Sequence, residues 1–404
     1  MSMNLLTNKT LGLLLAGFTL NCANIACVSA QNPVETNKPS ADYKPAFQGQ
    51  TRIAGVKTKT PLSIAVLNEK LDRPWAISVL PNGGFLITQK GGNMVILNAN
   101  GQLSKTIEGL PKVDDSGQGG LLDVTLDPNF AKNRIIYWAY SEPQDKGVLL
   151  AIAKGKLSTS ETSIEDQKVI YRATPSYGGK LQYGSRIVFD KNGDMFVSTG
   201  ERSGGDIRIQ AQYLNSSLGK ILHLTTDGKP VANGPFAGKA DARPEVYALG
   251  LRNPDGLAIN PQTGDLWEAE FGPKGGDEVN IIKPGKNYGW PIITYGTEYS
   301  GKKVGEGIQQ KEGMEQPVYF WNPSISPGCI AFYNSSSIPE WKGNLFVGAL
   351  GGSHIIRLVI KDNKIVGEER LMEGKSERFR DMVEKDGAMY TVTDGGKLYK
   401  IAKK

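Results

Sequence analysis

The feature that most constrains this chain is a short pattern that returns six times. A turn rich in Gly or Asn leads into a strand that opens on an aromatic or aliphatic residue and ends in small or polar ones. It occurs at Pro81–Thr88, Lys132–Ala139, Lys191–Ser198, Gln262–Ala269, Trp341–Gly348 and Lys385–Val392. Most copies are followed by a second strand, as at Asn93–Leu97, His354–Leu358 and Lys397–Ile401. Several are preceded by an apolar strand ending in a turn, as at Leu122–Pro128 and Gly256–Pro261. Six copies of one strand–turn–strand unit predict an all-β fold, a six-bladed β-propeller of four-stranded antiparallel blades. A β-sandwich is the competing architecture, but six repeats of one pattern favour the radial arrangement. The 49 glycines, without a collagen-like period, fit a fold full of tight turns. Loops at one end of a propeller frame a central pocket, and the insertion-rich stretches near 200–245 and 285–330 are expected to wall it.

Residues 1–30 read as a secretory signal peptide. Lys9 precedes the apolar run Leu11–Leu20, and Val28-Ser29-Ala30 supplies the small-residue cleavage pattern. The run is too short to span a bilayer, so no transmembrane segment is expected and the localisation is periplasmic or secreted. Asn24–Cys27 faintly resembles a lipoprotein cleavage box that lacks its Leu, which makes a lipid anchor the lesser alternative. Residues 31–50, polar with Pro33, Pro39 and Pro45, read as a flexible N-terminal segment, and residues 51–404 as the propeller domain. Cys22 and Cys27 fall in the expected leader; if cleavage follows Ala30, the mature chain keeps Cys329 alone and no intramolecular disulfide is expected. The formal net charge of +6 is mild. Without a long basic run or an aromatic–basic repeat, nucleic acid is not expected as a partner.

Residues suited to chemistry fall in a few blocks. The Gly-rich turn Asp115–Asp123 brings Gln118 to the start of a strand; alone it reads as a blade-entry turn. Leu181–Asp190, continuing to Ser198–Arg202, carries Gln182. Arg252 and Asn253 sit between two apolar strand stretches within Tyr247–Ala258, where an isolated Arg-Asn-Pro reads as a turn with a surface salt bridge. Leu266–Asn280 holds Phe271, Gly272, Pro273, Asp277 and Glu278 and is followed by Asn287–Pro291. In Glu377–Asp381, strand alternation places Arg378 and Arg380 on one face. Two inward guanidinium groups are costly unless an anion meets them. Trp321–Tyr333 completes the set, with Cys329 read as a small buried hydrophobe.

Taken in order over about residues 65–401, these blocks resemble the pyrroloquinoline quinone (PQQ)-dependent soluble aldose sugar dehydrogenases and glucose/sorbosone dehydrogenases, nearest to the aldose branch. The resemblance implies a PQQ cofactor against Gln118, Arg252, Asn253, Arg378 and Arg380. It implies calcium on the carbonyls of Gly272 and Pro273, an aldose sugar as substrate, an external electron acceptor, and a monomer or homodimer. PQQ carries three carboxylates on a planar quinone, so it would meet the paired arginines. Asp277 and Glu278 read either as a charged turn that organises the loop or as a second, structural calcium site.

Three positions depart from the family pattern. Gln182 stands where the general-base His is expected, and an amide takes no proton near neutrality. Gly351 stands where many relatives carry a quinone-contacting Lys, and Phe271 where relatives often have His or Gln. The chain has two histidines. His223 alternates with apolar residues and reads as structural, while His354, just after Gly351, is a weak candidate for a displaced pocket group. Asp123 and Asp206 are carboxylates to weigh as a substitute base. The expectation is therefore a PQQ- and calcium-dependent sugar dehydrogenase whose catalysis Gln182 puts in question. The alternative is a non-catalytic sugar- or PQQ-binding propeller. A calcium-dependent hydrolase would need acidic and Asn side chains in a pattern not found.

Overall fold

The computed structural model describes residues 32–404, so the expected leader and its cleavage site lie outside the described residues. Six four-stranded antiparallel sheets make up the fold, with very little helix. The six repeats are the second strands of the six blades: Phe85–Gln89, Ile135–Pro143, Met195–Thr199, Leu266–Glu270, Leu345–Ala349 and Ala388–Thr393. The inner strands are Pro74–Val79, Leu121–Leu126, Gly184–Phe189, Pro254–Ile259, Pro327–Phe332 and Phe379–Lys385, for blades one to six. The ring closes without an exposed seam. Leu62–Asn68, the first strand, pairs antiparallel with the last, Leu398–Lys403, as the outer strand of blade six. Tying the two ends of the chain into one blade locks the ring, which opens only if this pairing is broken.

Apolar residues from neighbouring blades interdigitate between the sheets. Trp267 of blade four meets Phe332 of blade five edge-on at 5.9 Å, and Phe85 of blade one meets Tyr390 of blade six at 4.8 Å. Trp267 is fully buried; truncating such a residue to Ala costs about 3–5 kcal/mol.

All six inner strands share an irregularity. In each, the register against the second strand shifts close to its start, between Pro74 and Ile77, Leu121 and Val124, Gly184 and Ile187, Pro254 and Gly256, Pro327 and Cys329, and Phe379 and Asp381. A bulge bends a strand and re-aims the residues within it. Those residues include Trp75, Leu122, Asp123, Arg186, Asp255, Gly328 and Arg380, which build the centre of the disc.

Residues 32–50, expected from composition to be a flexible lead-in, are tied to the propeller. Glu35 pairs with Arg370 at 2.7 Å. Gln50 is fully buried and donates to the Pro317 carbonyl at 2.9 Å. Arg52 donates to the carbonyls of Glu35 and Asn322 at 3.0 and 2.8 Å. Specific polar side chains at three points do what hydrophobic content does elsewhere.

Candidate active site

At the centre of the disc, Arg186 joins all six blades. It rises from the inner strand of blade three, with Nη1 3.1 Å from Asp123 of blade two and 3.0 Å from Asp381 of blade six. Its remaining donors go to the carbonyls of Asp255 in blade four (2.6 Å), Gly328 in blade five (2.9 Å) and Arg380 in blade six (3.2 Å). The guanidinium lies over the Trp75 ring of blade one at 4.3 Å. Burial raises the carboxyl pKa of both Asp123 and Asp381, and Arg186 opposes it.

Beside this hub opens a cavity of about 440 Å³. Its lining includes Gln118, Gln182, Arg252, Asn253, Gly272, Pro273, Arg378 and Arg380, every site residue expected from sequence. Of the two insertions expected to wall it, only 285–330 contributes, through Tyr299, Ser324 and Ser326; no residue of 200–245 lines it. That stretch is bound to its own blade instead. The buried Lys220 ammonium donates to the carbonyls of Gln210, Ala211 and Leu218 at 2.8, 2.9 and 2.6 Å.

The loops are held rigidly. The Gln118 turn needs glycine: at Gly120, φ is +133°, and a Cβ would sit 2.5 Å from the Lys90 carbonyl. Gln118 Oε1 accepts from the backbone nitrogen of Gln182 at 2.7 Å. Gln182 itself has φ +55°, and its buried Oε1 has no partner among the described residues. Arg202 clamps this loop with bonds to the carbonyls of Leu181, Val148 and Gly179 at 3.0, 2.9 and 2.7 Å. Glu270 Oε2 accepts from the backbone nitrogens of Arg252 (2.5 Å) and Asn253 (3.3 Å). Arg252 Nη1 donates to the Gly272 carbonyl at 2.7 Å.

Arg378 and Arg380 both face the cavity, and an anion does meet them, though it belongs to the protein. Asp394 Oδ2 lies 2.8 Å from Arg378 Nε, and Asp394 Oδ1 2.8 Å from Arg380 Nε. The second lining carboxylate is Asp255, whose Oδ1 accepts from Asn253 Nδ2 at 3.0 Å. Burial pushes its carboxyl up to about 7, against the pull of Arg380 and Arg186.

Asp277 organises the loop, accepting from Gly272 N, Ile325 N and Ser326 N, each at 2.7 Å, and from Ser324 Oγ. Its oxygens are thereby spent. Among the described residues Glu278 accepts only from Asn280, at 3.3 Å, inside a buried cluster with Glu268 and Glu270. Neither substitute base considered from sequence lines the cavity: Asp123 is locked on Arg186, and Asp206 accepts from Tyr177 Oη at 2.8 Å. His354 also lies outside, with Nδ1 2.6 Å from the Gly352 carbonyl, and burial pushes its pKa down to about 4. His223 stacks on Phe196 at 4.3 Å and bonds Asp190 at 3.1 Å. Cys329 is buried, which pushes its thiol up to about 12.

Sequence reasoning missed Arg186, Asp255, Asp394, Lys90, Arg73 and Trp75. For Arg186 and Asp255 a signal existed, since each is a charge inside an otherwise apolar inner strand. For Asp394 and Lys90 there was none, because both sit in ordinary turn positions.

Comparison with known proteins places these observations. The Glucose / Sorbosone dehydrogenase family profile matches residues 71–400. The chain is 40% identical over 347 residues to the aldose sugar dehydrogenase YliI of Escherichia coli strain K12, covering 84% of this chain and 93% of that protein. The crystal structure of the soluble aldose sugar dehydrogenase from Escherichia coli in the apo-form superposes with a TM-score of 0.81 at 38% identity, over 85% of this chain and all 100% of that one. The PQQ-bound form of an aldose sugar dehydrogenase from Streptomyces coelicolor gives 0.71 at 26% identity, over 86% and 99%.

Proposed function

The chain belongs to the glucose/sorbosone dehydrogenase family, and from that premise we propose that it is a PQQ- and calcium-dependent oxidoreductase. It oxidises an aldose sugar at the anomeric carbon to the lactone and passes the electrons to an external acceptor, in the periplasm or outside the cell. The observation that carries this reading is the convergence of Gln118, Arg252, Asn253, Gly272, Pro273, Arg378 and Arg380 on one cavity.

The residues present suit the cofactor. Five basic side chains, Arg73, Lys90, Arg252, Arg378 and Arg380, face a lining with two carboxylates, which favours a planar polyanion. At its wall, the buried Gln182 Oε1 and Arg252 Nε have no hydrogen-bond partner among the described residues, as expected where a polar ligand belongs. The carbonyls of Gly272 and Pro273 are hard oxygen donors of the kind calcium takes, and the Gly272 oxygen keeps a second lone pair beside the one turned to Arg252.

When bound, PQQ supplies the two-electron acceptor. The chain's part is to neutralise its carboxylates with arginines, to hold it with Asn253 and Gln118, and to orient the sugar. Gln182 hydrogen-bonds a sugar hydroxyl but takes no proton. Without a general base, turnover is slower by about 10²–10⁴-fold. A second reading, a non-catalytic propeller that binds sugar or PQQ, is favoured by Gln182 together with the engagement of Asp394 by two arginines.

The test is reconstitution with PQQ and calcium, followed by dye reduction across a panel of aldoses. Turnover that disappears in Arg378→Ala supports the dehydrogenase. Tight PQQ binding without turnover supports the second reading, and no PQQ binding rejects the first.

A further inference from the structure

The five cations of the cavity are not equally compensated. Arg378 and Arg380 share Asp394, and Arg73 pairs with Asp115 at 2.9 Å. Arg252 has no carboxylate in ion-pair contact among the described residues, but the buried carboxylates of Glu201 and Glu270 feel its charge. Lys90 has no carboxylate partner either. Its Nζ makes one hydrogen bond, to the Gly117 carbonyl at 2.9 Å. Burial, with Arg380 and then Arg73 alongside, pushes its ammonium below the usual lysine range.

The backbone of Lys90 is fixed between blades one and two. Its amide donates to the Arg73 carbonyl at 3.1 Å, and its own carbonyl accepts from Leu121 N at 3.0 Å. An ammonium has three donors; one holds the turn next to Gln118, and two are left for a ligand. Gly351, where a lysine was expected, is not in the cavity lining at all.

We infer that Lys90 is a further anion-binding residue of this cavity, its ammonium meeting a carboxylate of a planar polycarboxylate ligand from the blade-one side. The inference extends the proposed function, in which that ligand is PQQ. A ligand anion here relieves the crowding of Lys90 against Arg380 and Arg73, which Asp394 and Asp115 offset only in part.

The experiment measures equilibrium binding of PQQ, and separately of benzene-1,3,5-tricarboxylate, to wild type, Lys90→Gln and Lys90→Arg across a salt series. Thermal melting verifies that each variant is folded. Lys90→Gln is expected to weaken both ligands roughly tenfold at low salt, as for a hydrogen bond to a charged group, and to flatten the loss of affinity with salt. Lys90→Arg should restore most of it. PQQ binding to Lys90→Gln with wild-type affinity and salt dependence overturns the role of Lys90 and leaves the proposed function standing. Tricarboxylate binding that depends on Lys90, with no PQQ binding, does the reverse. Binding of neither ligand overturns both.

Discussion

Arg380 and Asp394 form a two-point ion pair inside the cavity, Nε to Oδ1 at 2.8 Å and Nη2 to Oδ2 at 3.1 Å. The free protein thus carries its own anion where a ligand's carboxylate would bind. That resident charge solves the cost of two inward arginines, and it also competes with the ligand.

Replacing Asp394 by Asn should therefore tighten PQQ binding, roughly three- to tenfold, because a nearby negative charge is removed in a half-buried site. The same change should destabilise the free protein by about 1–3 kcal/mol, since Arg380 loses a charged partner. Binding titration and denaturant unfolding on one preparation check both signs.

Gln182→His should raise turnover by about 10²–10⁴-fold if the missing base is what limits the reaction. The rate should then climb as pH rises through the range in which an ordinary histidine loses its proton. The positive φ of Gln182 is one that His adopts more readily than bulky or β-branched residues. Steady-state rates over pH 5–8 with a PQQ-loaded preparation, roughly spanning the histidine range, decide it. An unchanged, pH-flat rate would show that another step or another residue sets the speed.

Arg186→Leu should cost about 3–5 kcal/mol, since it leaves Asp123 and Asp381 buried without their counter-charge. Adding Asp123→Asn and Asp381→Asn should recover much of that loss if charge, rather than shape, is what the hub supplies. Urea unfolding of the single and triple variants separates the two.

Asp255 makes stability depend on pH with a definite sign. Burial first of all raises its carboxyl from the ordinary 3.8 to about 7 in the folded protein. The folded state then binds the proton more tightly than the unfolded chain. Its contribution is fully present below about pH 4 and is lost as pH rises through about 7. The loss is at most about 4 kcal/mol. Asp255→Asn should reduce the fall in melting temperature between pH 5 and pH 8, an interval of roughly the relevant width; an unchanged fall would assign the effect to other groups.

The blades were legible in the sequence because each second strand repeats one local pattern, and alternation and turn chemistry act over a few residues. The same holds for the ring of candidate ligands: Gln118, Arg252, Asn253, Arg378 and Arg380 each stand in a recognisable block, and each block leads to the same cavity. The N-terminal segment misled, since its polar composition suggests freedom while Glu35 and Gln50 find partners hundreds of residues away.

What the chain alone determined is the repeat, and with it the count of blades and the approach of six strand starts to one axis. What only the tertiary structure decided is how charge is shared there. Asp394 meets Arg378 and Arg380, Arg186 draws on every blade, and Lys90 is left without a carboxylate. Strand pattern is encoded between near neighbours, whereas ion pairing depends on which distant side chains the closed ring brings within a few ångströms.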